Sequence, residues 1–241
     1  MKLLINGICR SRGPGSWPYF LQAQLGCNLV NLSIAGSGGA YIHETTISEL
    51  SKRSYDLVIV MWNTSHHVSV KVNNINKYSD STNTSLYQSN ANDWPEKIVE
   101  PLNDQDYVEK NWILGVSQYK NLDDSVAQFY SNYFDAVKFK QSVESDIIRV
   151  ISLQSFLKSR NQPYVFLYSE KHQKWKQFEH LYNQIDWSNW YQDITLEDIA
   201  NEDNGRLKSD DPGLGTAPEG HEIYAELLVQ HINNKVINDS K

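Results

Sequence analysis

Met1-Lys2-Leu3-Leu4-Ile5-Asn6-Gly7-Ile8-Cys9 opens the chain. Its apolar run Leu3-Leu4-Ile5 is continuous rather than alternating, as in a strand buried on both faces. Gly7 then allows a tight turn that presents the thiol of Cys9. Ser11-Arg12-Gly13-Pro14-Gly15-Ser16-Trp17-Pro18 follows and leads into a helical pattern from Trp17 to Leu25. A nucleophilic side chain on a turn between a strand and a helix is a recurrent device of α/β folds.

Two further apolar runs lie downstream, Asn28-Leu29-Val30-Asn31-Leu32-Ser33-Ile34 and Asp56-Leu57-Val58-Ile59-Val60-Met61-Trp62, with a helical pattern from about Tyr41 to Arg53 between them. Strand, helix, strand, helix, strand, with continuous apolar runs, predicts a parallel sheet covered on both faces. The expected fold class is α/β, a three-layer α/β/α sandwich of the flavodoxin-like kind. Pro163-Tyr164-Val165-Phe166-Leu167-Tyr168 reads as a fourth buried strand, after a long helical pattern spanning residues 123–159. Helical segments are expected around Trp175 to Gln184 and Leu196 to Ala200. A last amphipathic helix runs from Pro218, suited to a first helical turn, to Val236. Residues 64–124, rich in Asn, Ser, Asp and Tyr and carrying Trp94 and Trp112, break the periodicity and read as an irregular insertion in a single domain of residues 1–241.

Composition narrows the function classes. With 40% hydrophobic and 21% charged residues the chain is an ordinary globular one. A net charge of -7 without any Lys/Arg run argues against a sequence-independent nucleic-acid binder. No apolar stretch approaches the roughly 20 residues of a membrane helix. The run Leu3-Leu4-Ile5 stops at Asn6, too short for a signal peptide, so Cys9 and Cys27 are expected to be reduced and the protein cytoplasmic. No Cys-x-x-Cys is present and His66-His67 are adjacent, so neither a metal nor another cofactor is expected.

In an open parallel sheet, sites form outside the carboxyl ends of the strands. Three loops converge there: Gly7 to Ser16, Ala35 to Ala40, and Asn63 to His67. Ala35-Gly36-Ser37-Gly38-Gly39 brings bare backbone amides to that edge, either as oxyanion donors or simply as a tight strand-to-helix turn. It is not a dinucleotide fingerprint, since it follows the second strand and lacks the third spaced glycine.

In order and spacing these motifs resemble the SGNH (GDSL-like) hydrolase superfamily, and within it the divergent members encoded by marine phages. Gly7-Ile8-Cys9-Arg10-Ser11 matches the first block, Gly-Asp-Ser-x-Ser. Asn31-Leu32-Ser33-Ile34-Ala35-Gly36 matches the second, and Met61-Trp62-Asn63-Thr64-Ser65 stands where the third belongs. Asp210-Asp211-Pro212-Gly213-Leu214-Gly215-Thr216-Ala217-Pro218-Glu219-Gly220-His221 resembles the last. The resemblance implies acyl transfer to water or another acceptor, with Cys9 as nucleophile, His221 and Asp211 as base pair, Gly36, Asn63 and Ser65 as oxyanion donors, and Ser11 at the binding turn. It implies a small-molecule or glycan ester as substrate.

The departures are chemical. Cysteine replaces the family's serine; a thiol at a helix start, beside Arg10 and Arg12, is more readily a thiolate. Ile8 replaces the acidic residue. The His-Pro that supplies the base is absent, leaving His221, which corresponds to a later family histidine. Each of these residues also has a plainer role available: Cys9 as a small buried hydrophobe, His221 as a packing or capping group, His66-His67 and Asp210-Asp211 as solvated loop pairs, and Trp62 as core. Three functions therefore compete. They are a thiol-dependent acyl hydrolase or acyltransferase, an inactive SGNH-fold protein binding a glycan or a protein partner through residues 64–124, and a flavodoxin-like module binding a phosphorylated ligand at the glycine loops.

Overall fold

The computed structural model describes residues 1–34, 37–62, 69–71, 112–114, 139–170, 176–201, 207–209 and 216–235. Strands β1 (Lys2–Asn6), β2 (Asn28–Asn31), β3 (Leu57–Trp62), β6 (Tyr164–Tyr168) and β7 (Trp190–Tyr191) form one sheet in the order β2-β1-β3-β6-β7. Every pairing in it is parallel. A second, antiparallel pair joins β4 (Ser69–Lys71) to β5 (Trp112–Leu114). The helices are α1 (Trp17–Leu25), α2 (Gly39–Lys52), α3 (Phe139–Ser159), α4 (Glu179–Tyr182), α5 (Leu196–Asn201) and α6 (Pro218–Lys235).

The layers follow from side-chain alternation. Asn6, in register with Val60, sends its side chain to α2. Met61, the next residue of β3, points the other way and meets Ser11 beside α1. The sheet thus lies between α1 packed on α6 and α2 packed on α3. All six residues of β3 are buried, as a strand covered on both faces requires. In α3 the buried positions Val143, Ile147, Val150, Leu153 and Leu157 recur every three or four residues, the stripe of a helix laid on a sheet.

The α/β sandwich expected from the sequence is the one observed, with two additions. Trp190–Tyr191 forms a fifth parallel strand on the far side of β6, and residues 69–71 and 112–114, within the stretch read as irregular, form the antiparallel pair. The first part of the helical pattern read over residues 123–159 lies outside the described residues; the helix is described from Phe139.

Because β1 leads through α1 to β2 on one side, and β2 leads through α2 to β3 on the other, the chain reverses its direction of growth between β1 and β3. Ligands of such sheets bind at this switch point, outside the carboxyl ends. Cys9 stands three residues past the end of β1, at that point.

Candidate active site at the carboxyl edge of the sheet

The exit of β1 is pinned by a fully buried amide. Asn6 Oδ1 accepts from the Gly7 N–H at 2.9 Å. Its Nδ2 lies within hydrogen-bond distance of the Ile42 carbonyl (3.1 Å), Thr45 Oγ1 (2.8 Å) and Thr46 Oγ1 (2.9 Å), so the end of the strand is locked to α2. Gly7 presses on β3: a Cβ there would lie 2.9 Å from Met61 Cβ and 3.0 Å from the Met61 carbonyl, contacts that no larger residue tolerates without movement. The Gly7 carbonyl in turn accepts from Ser37 Oγ at 2.8 Å, tying in the glycine loop that precedes α2.

Cys9, Arg10 and Ser11 then form a 3-10 turn, closed by the Ser11 N–H on the Ile8 carbonyl and the Arg12 N–H on the Cys9 carbonyl, both 2.9 Å. The turn buries Ile8 and Ser11 and leaves Cys9 half-buried. Ser11 is fully buried. Its hydroxyl donates to Met61 Sδ (3.3 Å) and accepts from Trp17 Nε1–H (3.2 Å), so it braces the turn from inside. Asn31, at the end of β2, donates from Nδ2 to the Ser11 carbonyl at 2.7 Å and accepts the Ser33 N–H on Oδ1. Arg10 reaches away to the end of β6, donating to the Ser169 carbonyl (3.1 Å) and pairing with Glu170 (3.0 Å).

His221 lies in the first turn of α6 and is 0% exposed. Its Nδ1 accepts the backbone N–H of Trp17 at 3.3 Å. That amide is one of the donors a helix start leaves without an intrahelical partner. Ser16, at the N-cap of α1, does not serve it; the Ser16 hydroxyl donates to the Gly13 carbonyl instead. A ring whose Nδ1 accepts a hydrogen bond carries its proton on Nε2. In a nucleophile–histidine–acid triad the protons are the other way round, with Nδ1–H on the acid and Nε2 open to the nucleophile. His221 can act as a base only after giving up Trp17. Gly36, Asn63, Ser65, Asp210, Asp211, His66, His67 and Trp94 lie outside the described residues, as does the side chain of Trp112. Of the candidate residues, Cys9, Ser11 and His221 are described; Ser11 and His221 both bond to Trp17 at the start of α1, and Cys9 lies on the turn two residues before Ser11.

On the other face of the sheet the same edge holds a largely buried acid. Asp146 of α3 pairs with Arg149 at 2.7 Å, and its Oδ1 stands where a Cβ on Gly39 would be only 2.3 Å away. Burial pushes its carboxyl up to about 6, against the pull of Arg149. Tyr168, at the end of β6, is held well above the usual phenol range by burial, then by Tyr182 and Asp146. Sequence reasoning missed Asn6, Asp146, and the partners of Arg10. The one visible signal was an Asn closing an apolar run, at Asn6 and again at Asn31. Among the described residues no three His, Cys, Asp or Glu side chains gather to hold a metal ion, and no helix is long and apolar enough to cross a membrane.

No family model and no curated protein matches the chain. Among solved structures the chain is similar to the acetyl xylan esterase AlAXEase, at 8% identity and a TM-score of 0.48, over 96% of this chain and 100% of that one. It is also similar to the acetyl xylan esterase Est2A from the rumen bacterium Butyrivibrio proteoclasticus, at 10% identity and a TM-score of 0.46. That match covers 98% of this chain but 64% of the other, so the chain spans less than two thirds of that protein's length.

Proposed function

We propose that the protein is a divergent SGNH-type acyl hydrolase or acyltransferase, of the kind marine phages encode, that uses the thiol of Cys9 as its nucleophile on a small-molecule or glycan ester. The observation that carries this reading is the placement of Cys9. It is half-buried, on a turn fixed from inside by Ser11 and Asn31, at the switch point of a parallel sheet. Free cysteines that only fill space sit deeper, as Cys27 does.

In the proposed reaction the thiolate attacks the ester carbonyl, a carbon–sulfur bond forms, and the carbon–oxygen bond to the alcohol breaks. The alkoxide leaves with the proton the thiol gave up. Water or an acceptor alcohol then attacks the thioester and releases Cys9. The backbone amides of Cys9 and Gly36, with Asn63 or Ser65, are the proposed donors to the oxyanion. His221, oriented by Asp211, is the proposed base once Trp17 releases Nδ1. A thiol depends less on such a base than a hydroxyl does, because part of it ionises near neutrality.

The Nδ1 bond of His221 to Trp17 favours a second reading. In it the fold has lost catalysis, His221 caps α1, and residues 64–124 bind a glycan or a protein partner. Hydrolysis of short-chain p-nitrophenyl esters by the wild type, Cys9→Ala and His221→Ala decides between them. Saturable turnover that Cys9→Ala abolishes supports the thiol hydrolase. Turnover absent from the wild type, or untouched by Cys9→Ala, overturns it in favour of binding. Loss of turnover in a folded His221→Ala adds the base.

A further inference from the structure

Arg10 follows Cys9 in sequence, yet its guanidinium is held on another strand. The sheet order places β3 between β1 and β6, so the Cys9–Ser11 turn and the side chain of Arg10 together bridge from the end of β1, past β3, to the end of β6. At the far end Nη1 donates to the Ser169 carbonyl and Nη2 pairs with Glu170 Oε1. Two fixed points on one planar group set its direction, which a single-point cation would not achieve. The Arg10 side chain is 18% exposed and that of Glu170 36%, so the pair is partly shielded from water at its arginine end. The Ser169 hydroxyl, fully buried at the same place, has no hydrogen-bond partner among the described residues.

We propose that Arg10 and Glu170 are a positioning pair for the Cys9 thiol. The fork holds the Cys9–Ser11 turn against the end of β6, and Glu170 sets how much of the guanidinium charge reaches the sulfur. The role of the pair in ester turnover rests on the nucleophile assignment; its effect on the thiol does not.

Charge and bracing make different demands on two variants that break the same ion pair. Glu170→Gln removes the carboxylate and leaves uncancelled the guanidinium charge of the residue that follows Cys9, which favours the thiolate. Arg10→Met removes the cation and disfavours it. A strap that is only mechanical is lost in both, and both then move the thiol the same way. Arg12 is unchanged throughout and supplies a constant background.

The experiment is alkylation of the full chain by iodoacetamide at neutral pH, followed by peptide mapping to resolve Cys9 from the buried Cys27, with circular dichroism on every variant. Glu170→Gln is expected to alkylate roughly threefold faster at Cys9 than the wild type, and Arg10→Met roughly threefold slower. Arg10→Lys, which keeps the charge but not the fork, is expected to fall between Arg10→Met and the wild type. Equal rates in all four proteins, or both ion-pair variants moving in one direction, overturn the proposal. If Arg10→Met does not fold, Glu170→Gln at its half-exposed position and Arg10→Lys decide the matter. Ester turnover of the same proteins is read separately. Opposite shifts in alkylation with no turnover in any variant uphold the pair and refute the hydrolase; turnover with no shift in alkylation does the reverse.

Discussion

Replacing Asp146 by Asn changes how stability depends on acidity between about pH 4 and 7. In the wild type the carboxyl is packed against Gly39 at the start of α2, and burial raises it from 3.8 to about 6, with Arg149 only partly offsetting the cost. A folded-state value above the unfolded one means that the native protein holds this proton more tightly. The contribution is therefore complete below the unfolded value, declines as pH rises, and is gone above about 6. A gap of about two pH units at about 1.4 kcal/mol each amounts to about 3 kcal/mol. The Asp146 side chain is 15% exposed, so solvent screening removes little of this.

Two other groups titrate with the opposite slope and must be separated from it. His43 is lowered by burial and by Arg149, so it favours the native state as pH rises. Asp186 is held down to about 2 by Lys158, and its contribution is lost only as pH falls below the carboxylate range. Subtracting the urea-unfolding free energies of the wild type from those of Asp146→Asn at each pH cancels both to first order. Freeing Arg149 in the variant lowers His43 further, which adds to the difference rather than hiding it. The variant is expected to gain about 3 kcal/mol on the wild type between about pH 4 and 7. A difference that stays flat within about 0.5 kcal/mol refutes the reasoning, because the carboxyl would then be solvated and ionised throughout.

Gly7→Ala drives a Cβ into Met61 Cβ and the β3 backbone, and is expected to cost about 2 kcal/mol in chemical denaturation. Ser11→Ala takes the acceptor from Trp17 Nε1 inside the core and should lower stability by about 1–3 kcal/mol, read by thermal melting with tryptophan fluorescence. His221→Phe fills the space but offers no acceptor to the Trp17 amide; a loss of about 1–2 kcal/mol is expected, with faster exchange of that amide hydrogen by NMR.

The layers were legible because they depend on local apolar runs. Leu57 to Trp62 reads as a buried strand from composition alone, and the spacing of Val143, Ile147 and Leu153 announces a helix face. β7 was not legible, because nothing in Trp190–Tyr191 is periodic. Those residues form a strand by stacking, Trp190 on Tyr168 at 4.5 Å and beside Trp187 at 5.1 Å, and by pairing with Phe166 and Leu167. At the site, the glycine turn and Cys9 were visible in sequence, whereas the groups that fix the turn were not. Arg10 meets a glutamate 160 residues away, and Asp146, on a helix with Glu144 and Arg149 nearby, reads as part of a solvated face until α2 packs over it.

The two helices that border the site share one further property. Neither start is capped by its own N-cap side chain: Ser16 donates to the Gly13 carbonyl, and Gly38 has no side chain to offer. What stands at these starts comes from the distant part of the chain, the His221 ring at α1 and the Asp146 carboxyl at α2. A local cap contributes about 1 kcal/mol to a helix as soon as it forms. A group more than 100 residues away, as each of these is, contributes nothing until α3 and α6 have docked. The carboxyl edge therefore depends on contacts between distant parts of the chain, and Arg10 ties the locally closed Cys9 turn to the end of β6 in the same way. The same dependence explains why a chain so legible in its layers conceals its site: the residues that shape it act across the sequence, where local patterns carry no signal.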